Sequence, residues 1–249
     1  MKILMCNDDG YGAEGMEALA SLLKKEHDVW IVAPDGNRSG SANAMNLNKE
    51  LELKKIKDNE YTLSGTPTDC IMAALRGNFL PSRPDVIVSG INKGGNMGSD
   101  IVYSGTCGAA RQAALYGIPA MALSVEWNNG SLDFIPFAKY AVAVFDKLYS
   151  LAKAPKAFED GVTLRYFVNV NALSLEQYKG MKAASVSERI YGDKLVSRLT
   201  EDGRTMVSLV GGGNIISRGN ADNDVRTIED GYVACSLIDT LSSCIGFSL

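Results

Sequence analysis

The 249-residue chain has one histidine, His27, and five cysteines, Cys6, Cys70, Cys107, Cys235 and Cys244, of which no two stand in a C-x-x-C spacing. An odd, scattered cysteine set offers neither a disulfide framework nor a zinc site, so buried reduced thiols are expected. A lone histidine leaves one candidate base for a Ser or Cys nucleophile. It lies in Lys24-Lys25-Glu26-His27-Asp28, before the second expected strand. A five-residue strand spans about 16 Å, so His27 falls at the far edge from the acids described below and a Ser-His or Cys-His hydrolase is excluded. Charge of one sign is lacking too: 25 Lys and Arg against 29 Asp and Glu give a net −4. That balance excludes a broad electrostatic footprint for nucleic acid or an anionic membrane, so any phosphate must be gripped locally. Long hydrophobic runs are also missing. The apolar start meets Asn7-Asp8-Asp9 after six residues, too soon for a signal peptide or a membrane span, and a cytoplasmic protein is expected.

What is present is an ordinary folded composition, 46% hydrophobic and 22% charged. Short β-branched runs alternate with helical patterns through residue 125, which predicts βαβ units and a parallel sheet. Strands are expected at Lys2–Cys6, Val29–Ala33, Asp85–Ser89 and Ala120–Val125, and helices at Glu14–Lys25, Asp69–Leu80, Gly108–Tyr116 and Phe134–Lys153, the last a single long amphipathic one. Leu51–Ile56 and Tyr61–Leu63 resemble a hairpin. Later, Leu164–Val170, Lys182–Ser187, Lys194–Arg198, Met206–Val210 and Tyr232–Leu237 read as strands, and Glu201-Asp202-Gly203 as a tight turn. The expectation is a Rossmann-like α/β core, mostly parallel with helices on both faces, over 1–175, and a β-rich C-terminal extension over 176–249. Isolated hairpins are marginal in water, so the extension is expected to pack on another subunit.

In such a sheet ligands bind beyond the carboxyl ends of the strands. There the chain places Asn7-Asp8-Asp9-Gly10, Pro34-Asp35-Gly36-Asn37-Arg38-Ser39-Gly40 and Gly90-Ile91-Asn92-Lys93-Gly94-Gly95-Asn96. Carboxylates, amides and a hydroxyl with no His or Cys suit a hard divalent cation, Mg2+ or Mn2+. Singly, such residues are turn and cap formers; only their convergence makes a site. Tyr103-Ser104-Gly105-Thr106 opens a helix and offers backbone N–H groups and hydroxyls to an anion, with Asn96 and Lys93 nearby in sequence. A rival is Gly10-Tyr11-Gly12-Ala13-Glu14-Gly15, which fits G-x-G-x-x-G, with Asp35 20 residues after Gly15. Asp8 and Asp9 at the mouth of that turn would repel a bare pyrophosphate by about 4 kcal/mol per charge pair at 4 Å and an effective dielectric of 20.

In order and spacing, Asn7-Asp8-Asp9-Gly10, Ala33-Pro34-Asp35 with Arg38-Ser39, Gly65-Thr66-Pro67-Thr68-Asp69-Cys70, Ser89-Gly90-Ile91-Asn92 with Gly95-Asn96-Met97-Gly98, and Tyr103-Ser104-Gly105-Thr106 resemble the stationary-phase survival protein SurE family. The match is dense over 1–125 and resumes at Asn169-Val170-Asn171 and Gly231-Tyr232-Val233. The resemblance implies a metal-dependent phosphatase of nucleoside 5′- and 3′-monophosphates, with a C-terminal extension exchanged between subunits in a homodimer or homotetramer. It implies Asp8, Asp9, Ser39 and Asn92 as ligands of one divalent metal, Asp8 and Asp9 as catalytic groups, and Asn96, Ser104, Gly105 and Thr106 at the phosphate. The chain departs from the family pattern at Asn43, where histidine is frequent, at Gln112, where Glu is usual, and at Ala172, where Pro is usual. The departures at Asn43 and Gln112 motivate an alternative, a nucleotide-binding regulatory protein with little or no turnover.

Overall fold

The computed structural model of the chain describes residues 1–153, 166–211 and 215–241. β1 (Lys2–Cys6) and β5 (Val86–Lys93) carry unbroken apolar runs because both faces of the sheet are covered. Around them a nine-stranded sheet has the order β3-β4-β2-β1-β5-β6-β7-β13-β8, with β2 at Asp28–Pro34, β3 at Leu53–Lys57, β4 at Glu60–Leu63, β6 at Ala120–Glu126, β7 at Tyr166–Leu173, β8 at Met181–Ala183 and β13 at Val233–Asp239. The pairs β2–β4, β1–β2, β1–β5, β5–β6, β6–β7 and β13–β8 are parallel; β3–β4 and β7–β13 are antiparallel. Alternate strand residues feed two cores. Ile3, Met5, Val86 and Val88 pack with α1 (Glu14–Leu23), α5 (Ile135–Ala143) and α6 (Phe145–Lys153) on one face. Leu4, Cys6 and Ile87 pack with α2 (Pro67–Arg76) and α4 (Gly105–Leu115) on the other. This is the Rossmann-like, mostly parallel sheet with helices on both faces.

Boundaries moved for local reasons. The second helix starts at Pro67 rather than Asp69 because Thr66 and Asp69 form a reciprocal capping box with proline in the first turn. The helix expected over Phe134–Lys153 is two helices meeting at Val144, whose φ of −109° and ψ of 15° leave helical geometry. Hydrogen bonds from Val144 N to Tyr140 O and from Leu148 N to Val144 O still cross the junction, so Phe137, Ala141, Phe145 and Leu148 share one core. The strand expected at Lys182–Ser187 stops at Ala183: Ser185 turns aside to exchange backbone hydrogen bonds with Asp222 and Asp224. Leu164 and Arg165 of the expected strand at Leu164–Val170, and Cys244, lie outside the described residues; the strand runs on from Tyr166 to Leu173. Four short elements escaped the sequence reading, namely α3 (Asp100–Tyr103), β9 (Glu188–Ile190) with its partner β12 (Ile216–Arg218), and α7 (Asp224–Glu229).

The residues after 175 divide. β8 and β13 join the main sheet, whereas β10 (Lys194–Leu199) and β11 (Thr205–Val210) pair only with each other around the expected Asp202-Gly203 turn. Every residue of its two strands is exposed, including Leu195 at 71%, Leu199 at 72% and Leu209 at 70%. Among the described residues, no helix is long and apolar enough to cross a membrane.

Candidate active site

The strand order reverses at β1, whose neighbours β2 and β5 lead to opposite halves of the sheet, and a crevice opens there beyond the carboxyl ends. Asn7 shapes the turn that follows β1: its Nδ2 donates to Gly10 O at 2.9 Å and its Oδ1 accepts from Gly10 N at 3.2 Å. Gly10 has φ +103°, and a Cβ there would lie 2.9 Å from the Gly36 backbone, so only glycine lets the loops after β1 and β2 touch. Arg38 N donates to Asp8 O at 2.6 Å and completes that junction.

Asp8 is buried at the start of α4. Its Oδ1 accepts from Thr106 Oγ1 at 2.6 Å and its Oδ2 from Gly105 N at 3.1 Å. A Cβ on residue 105 would stand 2.8 Å from Asp8 Cβ, so glycine is what admits the carboxylate to the helix end. Burial nevertheless outweighs these hydrogen bonds and raises the Asp8 carboxyl above its ordinary value. Asp9 Oδ2 accepts from Lys93 N at 3.1 Å. Burial raises its carboxyl as well, against the Lys93 N–H and with the Asp8 charge adding to the rise. Two adjacent carboxylates that the fold holds at this cost are suited to a cation.

Asn92 donates its Nδ2 to Gly94 O at 2.8 Å, which leaves its carbonyl oxygen as the group it can offer, and it lines the same cleft as Asp8 and the exposed Ser39. Asp8, Ser39 and Asn92 line this cleft, whereas Asp9, beside Asp8 in the chain, lines the neighbouring hollow; what the four offer is oxygen alone, a chemistry that suits Mg2+ or Mn2+ better than softer metals.

The expected phosphate residues separate into two groups. Ser104 lines the cleft and caps α4 by accepting from Cys107 N at 3.0 Å. Gly105 and Thr106 are enclosed, and they act on Asp8 itself. Asn96 lines the cleft but serves as an anchor: its Nδ2 donates to Ser124 Oγ at 2.9 Å and its N to Asn171 Oδ1 at 2.8 Å, while its carbonyl accepts from Asn169 and Asn171. Polar residues two apart on an otherwise apolar β7 were the signal for this support. Asp224 had no such signal; it caps the same loop by accepting from Gly98 N at 2.8 Å and Ser187 N at 3.1 Å.

The cleft has a volume of about 1000 Å³ and is lined by Asp8, Ser39 and Ser104 and by a wall that includes Tyr103, Arg189, Ile190 and Tyr191. Sequence reasoning missed that wall because β9 is three residues long. Asn43 and Gln112, two positions of departure from the family pattern, touch each other: Asn43 Nδ2 donates to Gln112 Oε1 at 3.4 Å, tying the Ser39 loop to α4 through neutral amides. His27 lies outside the site against the Phe145 ring, with centroids 5.6 Å apart. The mouth of α1 is a separate hollow lined by Asp9, Glu14 and Lys93, where two carboxylates oppose a dinucleotide pyrophosphate. Of the cysteines, Cys6, Cys70, Cys107 and Cys235 are buried and unpaired.

Residues 3–193 match the family described as survival protein SurE. A 5′-nucleotidase SurE of Clostridium botulinum (strain Kyoto / Type A2) is 37% identical over 216 residues, covering 85% of this chain and 82% of the relative. That of Mannheimia succiniciproducens is 34% identical over 238 residues, covering 96% and 92%. That of Campylobacter lari is 36% identical over 245 residues, covering 95% and 91%. The crystal structure of the SurE protein from Aquifex aeolicus superposes with a TM-score of 0.78 at 28% identity, covering 98% of this chain and 95% of that one. A family match spanning most of the chain, relatives 34–37% identical over most of its length and a solved SurE structure of the same fold lead to one conclusion: this chain belongs to the SurE family.

Proposed function

We propose that the chain is a metal-dependent phosphomonoesterase that hydrolyses nucleoside 5′-monophosphates, and 3′-monophosphates with them, to nucleoside and phosphate. The name shared by its relatives supports the nucleotidase activity. The observation that carries the mechanism is the placement of Asp8 and Asp9 side by side at the switch point, each held by hydrogen bonds from a different loop.

Asp8, Asp9, Ser39 and Asn92 would hold one divalent cation, Mg2+ or Mn2+. When bound, such a cation supplies positive charge against the substrate phosphate and acidifies water. Thr106 and Gly105 fix the Asp8 carboxylate so that it does not reorganise during the reaction. Asp9 is engaged by Lys93 N–H at Oδ2, and its Oδ1 is the group that orients the attacking water and takes its proton. Water adds to phosphorus, the bond to the nucleoside oxygen breaks, and that oxygen takes a proton from solvent to leave as the nucleoside hydroxyl, while Asp9 returns its proton to solvent. Ser104, at the first turn of α4, faces the phosphate oxygens as charge spreads over them. Asn96 keeps the Asn92–Gly98 loop in place from below.

The apolar hairpin β10–β11 supports a homodimer or homotetramer in which the 176–249 segment packs on another subunit. Unpaired thiols among the described residues suit a reducing compartment, and we place the enzyme in the cytoplasm.

The test is phosphate release from nucleoside monophosphates with Mg2+, Mn2+ or EDTA, on wild type and Asp8→Asn in parallel. Metal-dependent release that falls by at least about a hundredfold in the variant is expected. Nucleotide-dependent thermal stabilisation without phosphate release under any metal would instead make the protein a nucleotide-binding regulator.

A further inference from the structure

The wall formed by Tyr103, Ile190 and Tyr191 differs in chemistry from the Asp8 side of the cleft. Tyr103, at the end of α3, is 64% exposed; Tyr191, just after β9, is 41% exposed; Ile190 between them in the lining is 37% exposed. Among the described residues neither tyrosine ring stacks on another aromatic. Tyr191 is nonetheless fixed, because its hydroxyl donates to Asp100 Oδ2 at 2.6 Å. The same carboxylate oxygen accepts from Arg189 Nη1 at 2.7 Å, and the Arg189 guanidinium carbon lies 5.6 Å from the Tyr191 ring centroid. The Arg189 side chain is only 9% exposed and also faces Glu126 Oε2 at 3.5 Å. Arg189 and Asp100 are thus spent on one another and on Tyr191, and the charge left on this side of the cleft is the exposed Asp193. What the wall presents to a ligand is aromatic and aliphatic surface, held rigid and continuous with the cleft that contains Asp8, Ser39 and Ser104.

We propose that Tyr191 and Tyr103 form the base subsite and bind the nucleobase by stacking on its face. The proposal rests on the phosphate lying at the Asp8 side. A planar, apolar wall pre-set by Asp100 and Arg189 accepts any aromatic base at little entropic cost, since the ring that meets it is already ordered. Because Asp100 and Arg189 are paired with each other, they do not read hydrogen-bonding edges, so purines and pyrimidines are both substrates and ring area sets their order. Tyr191 and Tyr103 therefore determine preference for nucleotides over phosphate esters that lack a base.

The experiment compares kcat/KM for adenosine 5′-monophosphate with kcat/KM for ribose 5-phosphate, on the full chain with saturating Mg2+ or Mn2+, for wild type, Tyr191→Ala, Tyr191→Phe, Tyr103→Ala and Asp8→Asn. The ratio of nucleotide to sugar phosphate is expected to fall about tenfold in Tyr191→Ala, mainly through KM for the nucleotide, as loss of one base–aromatic stack implies. Tyr103→Ala, at an exposed position that leaves the core untouched, lowers it in the same direction. Tyr191→Phe, which keeps the ring, restores the ratio. An unmoved ratio in both alanine variants overturns the base subsite, whether both substrates lose equally or neither changes. A phenylalanine variant as poor as the alanine one overturns stacking as its basis. Full activity in Asp8→Asn would instead remove the phosphate reading beneath it.

Discussion

Thr106 is a side chain sealed from solvent whose contact with the proposed reaction centre runs through Asp8. Its hydroxyl donates to Asp8 at 2.6 Å from the first turn of α4, inside a wall that excludes water. A hydrogen bond to a charged group is worth about 1.5–3 kcal/mol. Thr106→Val keeps the shape and removes the donor, so kcat for nucleotide hydrolysis is expected to fall roughly ten- to hundredfold while KM moves little; Thr106→Ser should recover most of it. A Thr106→Val enzyme with wild-type kcat would show that Asp8 needs no such restraint. At this scale the sequence was informative where chemistry dictates residue type. Acids and amides after three strands located Asp8, Ser39 and Asn92 in the lining of one cleft, while Asp9, next to Asp8 in the chain, lines the neighbouring hollow. It was silent where the role depends on which way a group turns. Nothing in Ser104-Gly105-Thr106 reveals that two of the three serve Asp8 and one the cleft, and nothing in Arg189 reveals Asp100 as its partner.

Among the elements, α2 carries a connection beyond its own helix. Asp69 closes the capping box with Thr66 and also accepts from Asn46 through backbone N at 2.9 Å and Nδ2 at 2.7 Å, so one carboxylate fastens both a helix start and the loop that leads back to Ser39. Burial pushes this carboxyl up, but the hydrogen bonds from Thr66 and Asn46 together outweigh it and hold it below its ordinary value of 3.8. A depressed folded value stabilises the protein at every pH above the unfolded one, and that stability drains away as pH falls from about 4 through the lower folded value. Glu60 behaves in the same way: burial opposes, and Lys24, Tyr11 and Lys57 prevail. Asp69→Asn is expected to lower Tm at pH 7 by the loss of about 1–2 kcal/mol and to flatten the acid limb of the stability curve below pH 4. Thermal unfolding from pH 2 to 7 checks both; a parallel offset at every pH would mean that the carboxylate's charge contributes nothing. Helix existence was legible here from periodicity, yet the start at Pro67 required the cap, and the break at Val144 left no mark because both halves bury the same stripe.

For the whole molecule, the outstanding feature is the hairpin β10–β11, exposed at every position of its two strands, with Leu195, Leu199 and Leu209 bare at about 70%. At roughly 25 cal/mol per Å² of apolar surface, covering such an arm stabilises an assembly substantially. Leu195→Asp combined with Leu209→Asp is expected to reduce the mass measured by light scattering to that of a smaller species. An unchanged mass would show that the hairpin makes no subunit contact. The composition and βαβ alternation disclosed the parallel sheet, because a doubly covered strand must be apolar throughout. The return of β13 to the sheet between β7 and β8 was hidden, since a strand's sequence does not carry its partner.

That return sets an order of events during synthesis. β7 emerges with its outer edge unpaired, and Phe167, Val168 and Val170 sit along a strand that waits for residues 233–239 before its hydrogen bonds close. Until then the nascent sheet offers an open template to any other extended chain, including its own copies on neighbouring ribosomes. The final strand is thus a closure for the growing edge, and a ribosome that stalls short of Val233 would release a fragment with a nucleotide crevice already outlined and an aggregation-prone flank.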